Sequence, residues 1–278
     1  MTFAALLAGT VLGGTEIAVA QGRLDAHYQV TLGGVAFGRG AWQINVTGDQ
    51  FTSALSGTTS GLMRLFATGG GASASRGSVA ANGQLNASSY SSSIATDRRY
   101  DEVRMQLNSG TVKDYLAEPP NTPHVERIAI QDQHRRGVLD PMTAAIMRVP
   151  GTGDTFVPQA CNRKLAVFDG RMRYDLQLAY KRLDKVKSDP GYQGTVVVCA
   201  VYFSPVAGHV PSRPAIKYLS ELRATELWLA PIAGTRLMVP YRISLPTPFG
   251  EGVVQATRFV SLPQTSGPAP TPTSARSQ

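Results

Sequence analysis

Few side chains in this sequence are spaced for chemistry. Cys161 and Cys199 are its two cysteines, about 38 residues apart. Redox-active pairs usually sit two residues apart beside a helix N-terminus, where the thiolate is stabilised. This wider spacing, between strand-like segments, predicts a structural disulfide in an exported chain, worth about 4 kcal/mol in the chain-entropy treatment. The four histidines, His27, His124, His134 and His209, are scattered, with no H-x-x-x-H or H-x-x-E-H spacing. They give a metal site no support. Asp140, Asp169 and Asp175 fall at a helix cap, a turn and a polar strand face, so each has structural work. No G-x-S-x-G elbow, P-loop or G-x-G-x-x-G dinucleotide fingerprint occurs. No cofactor and no catalytic motif are therefore expected. A Ser/His/Asp set brought together only in space is the remaining route to a hydrolase.

Five residues are candidates for binding. Arg173 leads a strand in which Arg171, Arg173 and Asp175 share a face. That group is either a charge pair on a wet face or an anion contact within a concave sheet. Tyr174 follows on the opposite face. His209 lies in the stiff loop Ser204-Pro-Val-Ala-Gly-His-Val-Pro-Ser, and loops held by a scaffold often carry binding residues. Trp228 and Tyr241 are core or sheet-edge aromatics. They line a ligand groove if the sheet is curved and incompletely filled.

The elements that must position these residues are strands. Tyr28, Val30 and Leu32 alternate with His27, Gln29 and Thr31, and Trp42, Ile44 and Val46 with Gln43, Asn45 and Thr47. Period-two alternation with polar partners predicts antiparallel strands with one wet face. Residues 56–96 are poor in large apolar groups, yet Asn82-Gly83 is a strong two-residue turn signal. It predicts a Ser/Ala-rich hairpin over Ser73–Ala81 and Gln84–Ala95. Leu62–Phe66 reads as a short helix or a strand. Val103, Met105 and Leu107 form a further strand, with a partner over Thr111–Leu116. The proline-rich run Glu118–Pro123 is extended and rigid.

Asp140 and Pro141 begin the best helix signal, running to Met147, by cap and first-turn preferences. Pro214–Arg223 is a second helix. Asp169-Gly170 turns a hairpin into the strand Met172–Tyr180, and Asp189-Pro190-Gly191 turns the next. Val196–Phe203 is apolar on both faces and predicts a central strand covered on both sides. Further strands are expected at Thr225–Leu229, Leu237–Leu245 and Val253–Leu262.

The N-terminus has an apolar stretch, Phe3–Leu12, and an A-x-A cleavage pattern, Ala18-Val19-Ala20, before Gln21. It lacks a basic start but predicts a signal over residues 1–20, a mature domain over 21–262 with halves meeting near 117–124, and a disordered Pro/Thr/Ser tail over 263–278. The protein is then periplasmic or otherwise exported, with no membrane-spanning segment. Net charge is +8. The densest basic groups, Arg98-Arg99, His134-Arg135-Arg136 and Arg171 to Lys187, are not interleaved with stacking aromatics, which argues against nucleic acid. The charge suits solubility, an anionic polymer or a membrane face.

Several motifs also recur in a known family. Val138-Leu139-Asp140-Pro141, Phe168-Asp169-Gly170-Arg171 with Arg173-Tyr174, Cys199 leading to Tyr202 and Pro205, and Trp228-Leu229-Ala230-Pro231 with Val239-Pro240-Tyr241-Arg242 resemble the bacterial domain of unknown function 3108 family. The resemblance covers roughly residues 25–255. It implies an exported envelope protein built of antiparallel strands, and no reaction or catalytic residue.

The expected fold is mostly β: one large curved antiparallel sheet forming an open or half-closed barrel with one or two short helices, similar in architecture to lipoprotein-carrier barrels. The Asp140–Met147 helix is expected to plug or cover one opening. The expected function is a non-enzymatic periplasmic binding or carrier module with an apolar or anionic envelope ligand and a partly apolar concave face. Such a module predicts an apolar cavity lined by residues such as Tyr174, Trp228 and Tyr241. The alternatives are a structural or interaction protein of the envelope and a hydrolase.

Overall fold

A computed structural model describes residues 21–60, 69–97 and 99–264. The signal over 1–20, the Leu62–Phe66 segment and most of the C-terminal tail lie outside them. The chain builds one antiparallel sheet. Strands β1 (Gly22–Leu32), β2 (Val35–Thr47), β3 (Gln50–Thr59), β4 (Gly69–Val79), β5 (Leu85–Thr96), β6 (Arg99–Asn108) and β7 (Thr111–Glu118) form a meander from β1 outwards. A long connection crosses to the far edge. It carries α1 (Pro141–Ala144) and the two-residue β8 (Met147–Arg148). A second meander then returns: β9 (Arg163–Phe168), β10 (Arg173–Lys187), β11 (Gln193–Ala207), α2 (Pro214–Glu221), β12 (Glu226–Pro231), β13 (Leu237–Thr247) and β14 (Gly250–Pro263). The last strand pairs with the first, Gly22 opposite Pro263 and Leu32 opposite Gly252, so the two meanders join in mid-sheet.

The free edges β7 and β9 do not pair with each other. The segment Val138–Leu139 stitches them. The Val138 N–H donates to the Gly110 carbonyl in the β6–β7 turn (2.8 Å), and Leu139 bonds Ala166 and Phe168 of β9 on its other side. Tyr115 of β7 meets Phe168 of β9 edge to face, centroids 5.4 Å apart. Gly170, with φ +87°, lets the β9–β10 turn lie directly on Val103 of β6. The result is a sheet rolled into a half-closed barrel, the fold expected from the sequence.

A second opening lies between β13 and β14, which pair only from Arg242–Gln255 to Thr247–Gly250. Above that point the tip of the β10–β11 hairpin fills the gap. The Tyr192 N–H donates to the Phe259 carbonyl (2.7 Å), and Tyr192 and Tyr241 both pack on the Phe259 ring. Gly191, with φ +136°, stands where a Cβ would overlap the Phe259 backbone.

Inward side chains of both meanders form one core that includes Leu24, Ile44, Phe51, Met105, Phe168, Val239 and Phe259. Trp42 donates to Ser53 Oγ (2.8 Å) and Tyr28 to the Pro240 carbonyl (2.7 Å), so these two buried donors are satisfied inside it. A second cluster lies on the opposite face of β11 and β12. There Val197, Cys199, Leu227 and Leu229 meet Met147, Val149, Ala160 and Cys161 of the connection. This explains why β11 is apolar on both faces. The covering strap is held by the Cys161–Cys199 disulfide, by β8 on Leu237–Met238, and by the Arg236 guanidinium on the carbonyls of Val149, Pro150 and Gly153.

The Asp140–Met147 helix is a single turn, because the chain leaves it at once to pair as β8. Asp140 caps it as expected, accepting from the N–H groups of Met142 and Thr143 at 3.0 Å. Ser75 of β4 reaches the other carboxylate oxygen (3.2 Å) and Thr143 Oγ1 (3.1 Å). The small side chains of the Ser/Ala-rich β4–β5 hairpin thus leave room for α1 against their inner face.

Candidate functional site

Among the described residues, two of the concavities on the sheet are large enough to hold a small ligand. The larger, about 570 Å³, crosses the outer face of β2–β6. Its floor is two cross-strand rows, Gln43–Ala54–Ala74–Ser91–Arg104 and Ala41–Ser56–Ala72–Ser93–Glu102. At about 4.8 Å per strand the trough spans about 19 Å. Arg104 and Glu102 pair with each other at its rim.

The smaller, about 460 Å³, lies on β12–β14 and is lined by Ala224, Glu226, Trp228, Ser244, Pro246, Thr247, Gly250 and Glu251. Glu226 and Trp228 alternate on β12, with Ser244 and Arg242 opposite them on β13. Guanidinium groups stand over the Trp228 ring, Arg242 at 5.0 Å and Arg182 at 5.6 Å from its centroid. The indole N–H donates to Asp184 (3.3 Å). Arg182 grips Glu226 with two bonds of 3.0 and 3.1 Å, and Lys181 adds a third. Those bonds, Arg182 foremost, hold the Glu226 carboxyl below the usual carboxylate range despite partial burial. Arg242 is less committed: Gln255 Oε1 is 3.5 Å away and Glu251 3.8 Å, and its buried Nε has no partner. Ser244 donates to Glu251 across the groove.

The five candidates from the sequence do not converge. Arg173 pairs with Asp175 (2.7 Å), which also takes Lys164 of β9 (2.8 Å). Burial raises the Asp175 carboxyl, but the bonds from Lys164 and Arg173 together outweigh it and leave it below its usual value. The charge pair is formed, and Arg173 Nη1 is buried without a partner. Arg171 lies in the preceding turn and bonds Asp101 (3.2 Å) and the carbonyls of Glu118 and Pro119. Tyr174 leans on Phe203, centroids 5.4 Å apart. His209 is buried, which lowers its imidazole, and its backbone pairs with Ile128. Tyr241 is 1% exposed, inside the core. Trp228 alone borders a groove. Arg173 is nine residues along β10 from Arg182, about 30 Å at 3.3 Å per residue, so Arg173 and Trp228 belong to different regions. Sequence reading passed over Arg182, Glu226, Arg242 and Glu251. Their signal was present in the alternation Glu226–Trp228 and Arg242–Ser244, but the pairing of β12 with β13 was needed to see it.

Among the described residues no group of three or more His, Cys, Asp or Glu could hold a metal ion, and no helix is long and apolar enough to cross a membrane.

Fold and grooves together define a barrel-like antiparallel β protein with surface concavities. The chain belongs to the family described as "Protein of unknown function (DUF3108)", whose pattern matches residues 27–257. Among solved structures it is similar to a "Beta-barrel-like Protein of Domain of Unknown Function DUF1849" from Brucella abortus. That likeness has a TM-score of 0.46 and 8% identity, over 88% of this chain and 99% of that one. No curated protein matches the chain.

Proposed function

We propose that this protein is a non-enzymatic binding module exported to the bacterial envelope, with its ligand in the Trp228 groove. The observation that carries the reading is the indole at the groove floor, with Arg242 stacked on it and weakly paired. Trp228 and Pro246 offer apolar surface, and Arg242 and Glu251 offer both signs of charge. The arrangement suits a small ligand with an apolar part and a polar head, an envelope amphiphile by chemical class. Trp228 and Tyr241 belong to the same interior cluster, so the groove opens where that filled interior ends on β12–β14 and is not an empty cavity within the barrel. The disulfide supports an oxidising compartment.

The test is native mass spectrometry of protein purified from its own envelope fraction, beside the variant Ala224→Trp. Ala224 is exposed on the groove wall, so the larger ring fills the groove without disturbing the core. The expected result is a bound small molecule on the wild type and its loss from A224W. A wild type with no added mass, or an A224W protein that keeps it, overturns the reading.

A further inference from the structure

A separate feature lies at one end of the barrel. The β1–β2 and β13–β14 turns meet there as a unit. The Gly33 N–H donates to the Glu251 carbonyl (3.0 Å), and a Cβ on Gly250 would stand 2.9 Å from the Gly33 Cα. At the apex of this double turn Phe249 is 81% exposed and Val35 54% exposed. The antiparallel meander brings the β5–β6 turn to the same end, where Ile94 and Tyr100 are also more than half exposed. Large apolar side chains gathered at turn apices are uncommon on a soluble surface and mark an interaction site.

Beside the apex lies α2. Its Tyr218 hydroxyl donates to the Pro246 carbonyl (3.1 Å), three residues before Phe249. No residue of α2 is buried. Ile216, Leu219 and Leu222 are half-buried along one side, while Lys217 is exposed, and Arg213 and Arg223 flank the helix. Glu221 is the one acidic residue in that stretch, so it is net basic, in a chain of net charge +8.

From this arrangement we infer that the Val35–Phe249 apex and α2 together dock the protein on an anionic phospholipid bilayer. The shape decides for lipid over a protein partner. The apolar groups stand on a convex tip, which a fluid interface accepts without a matching pocket. The exposed cations Arg213, Lys217 and Arg223 of the α2 stretch lie beside that tip and add attraction to anionic headgroups. Aromatic side chains such as Phe249 and Tyr100 suit the headgroup boundary. The inference is independent of what, if anything, the Trp228 groove holds, although Thr247, Gly250 and Glu251 belong to both the groove rim and the turn.

The test is co-sedimentation of the purified full chain with vesicles of phosphatidylglycerol and phosphatidylethanolamine, and with vesicles of phosphatidylcholine. Wild-type protein is expected to partition onto the anionic vesicles and to dissociate as salt is raised. The double variant V35S/F249S loses two exposed side chains without touching the core. It is expected to lower the partition coefficient about tenfold or more, from the transfer free energies of those side chains. Lys217→Glu is expected to lower it several-fold, from about 1 kcal/mol per surface charge. Leu262→Ser removes an exposed apolar side chain at the opposite end of the barrel and is expected to leave it unchanged. Failure of the wild type to bind anionic vesicles overturns the inference. So does equal binding by V35S/F249S, or a loss in L262S as large as in V35S/F249S.

Discussion

Asp140 is the residue on which closure of the barrel turns. Its carboxylate caps α1 through two N–H groups and takes Ser75 of β4, and none of it is exposed. Burial pushes this carboxyl up, and the bonds from Thr143, Ser75 and Met142 offset only part of that rise. With the folded-state value above the unfolded one, its contribution to stability is full below the ordinary carboxylate range. That contribution is lost as pH rises through the raised value. Asp140→Asn keeps an oxygen for the two N–H groups and cannot ionise. Urea unfolding between about pH 4 and pH 8 is expected to show the wild type losing stability relative to D140N as pH rises; a pH-independent difference would refute the assignment. Asp140→Ala removes the acceptor altogether and is expected to cost about 1–2 kcal/mol at every pH. Gly191 is the second such position. Its positive φ and its contact with the Phe259 backbone make Gly191→Ala costly. The expected loss is at least about 2 kcal/mol, read as a shift in the urea midpoint.

At the scale of elements, the strap between α1 and β9 covers the outer face of β11 and β12 with little regular structure of its own. It depends on point attachments: the disulfide, β8 and the Arg236 fork. Replacing both cysteines with alanine opens a loop closed over 38 residues. The expected cost is about 4 kcal/mol, measured by chemical unfolding against the oxidised wild type. The strap should also become the first site of proteolytic cleavage in that variant, around exposed Gly151–Asp154. Cleavage first at another loop would show that the bridge is not its main anchor. The β10–β11 hairpin behaves differently. Of its 15-residue strands, β11 extends beyond β12 at both ends and β10 beyond β9 at the tip end, and the tip is fixed because it fills the β13–β14 gap.

For the whole molecule, the two meanders share one core and one sheet, so neither half buries its apolar face alone. Val103 and Tyr115 of the first meander pack on Gly170 and Phe168 of the second. Unfolding is expected to be a single transition, with Trp42 in one meander and Trp228 in the other reporting the same urea midpoint. A fragment ending at Glu118 is expected not to fold, as judged by amide dispersion. Two separated midpoints, or a folded fragment, would show that the halves are independent domains.

Much of this was legible in the chain. Period-two alternation with polar partners determined strands with one wet face. Asn82-Gly83 and Asp169-Gly170 marked hairpins, although the connections, from Val79 to Leu85 and from Phe168 to Arg173, are longer than two-residue turns and take positive φ at Gly83 and Gly170. Asp140-Pro141 marked a helix start, and the doubly apolar run at Val196 marked a central strand. These are local preferences, acting over a few residues. What occurs between distant strands was decided only in three dimensions. The helix at Asp140 stopped after one turn because β13, far along the chain, offered β8 a ladder. Arg173 and Trp228, both reasonable binding candidates, were separated because register along β10 set them about nine residues apart. Phe249 and Val35, unremarkable in sequence, became one exposed apex because pairing of β14 with β1 brought their turns together. Side-chain period is written in the sequence, whereas register and the meeting of turns depend on the packing of the whole sheet.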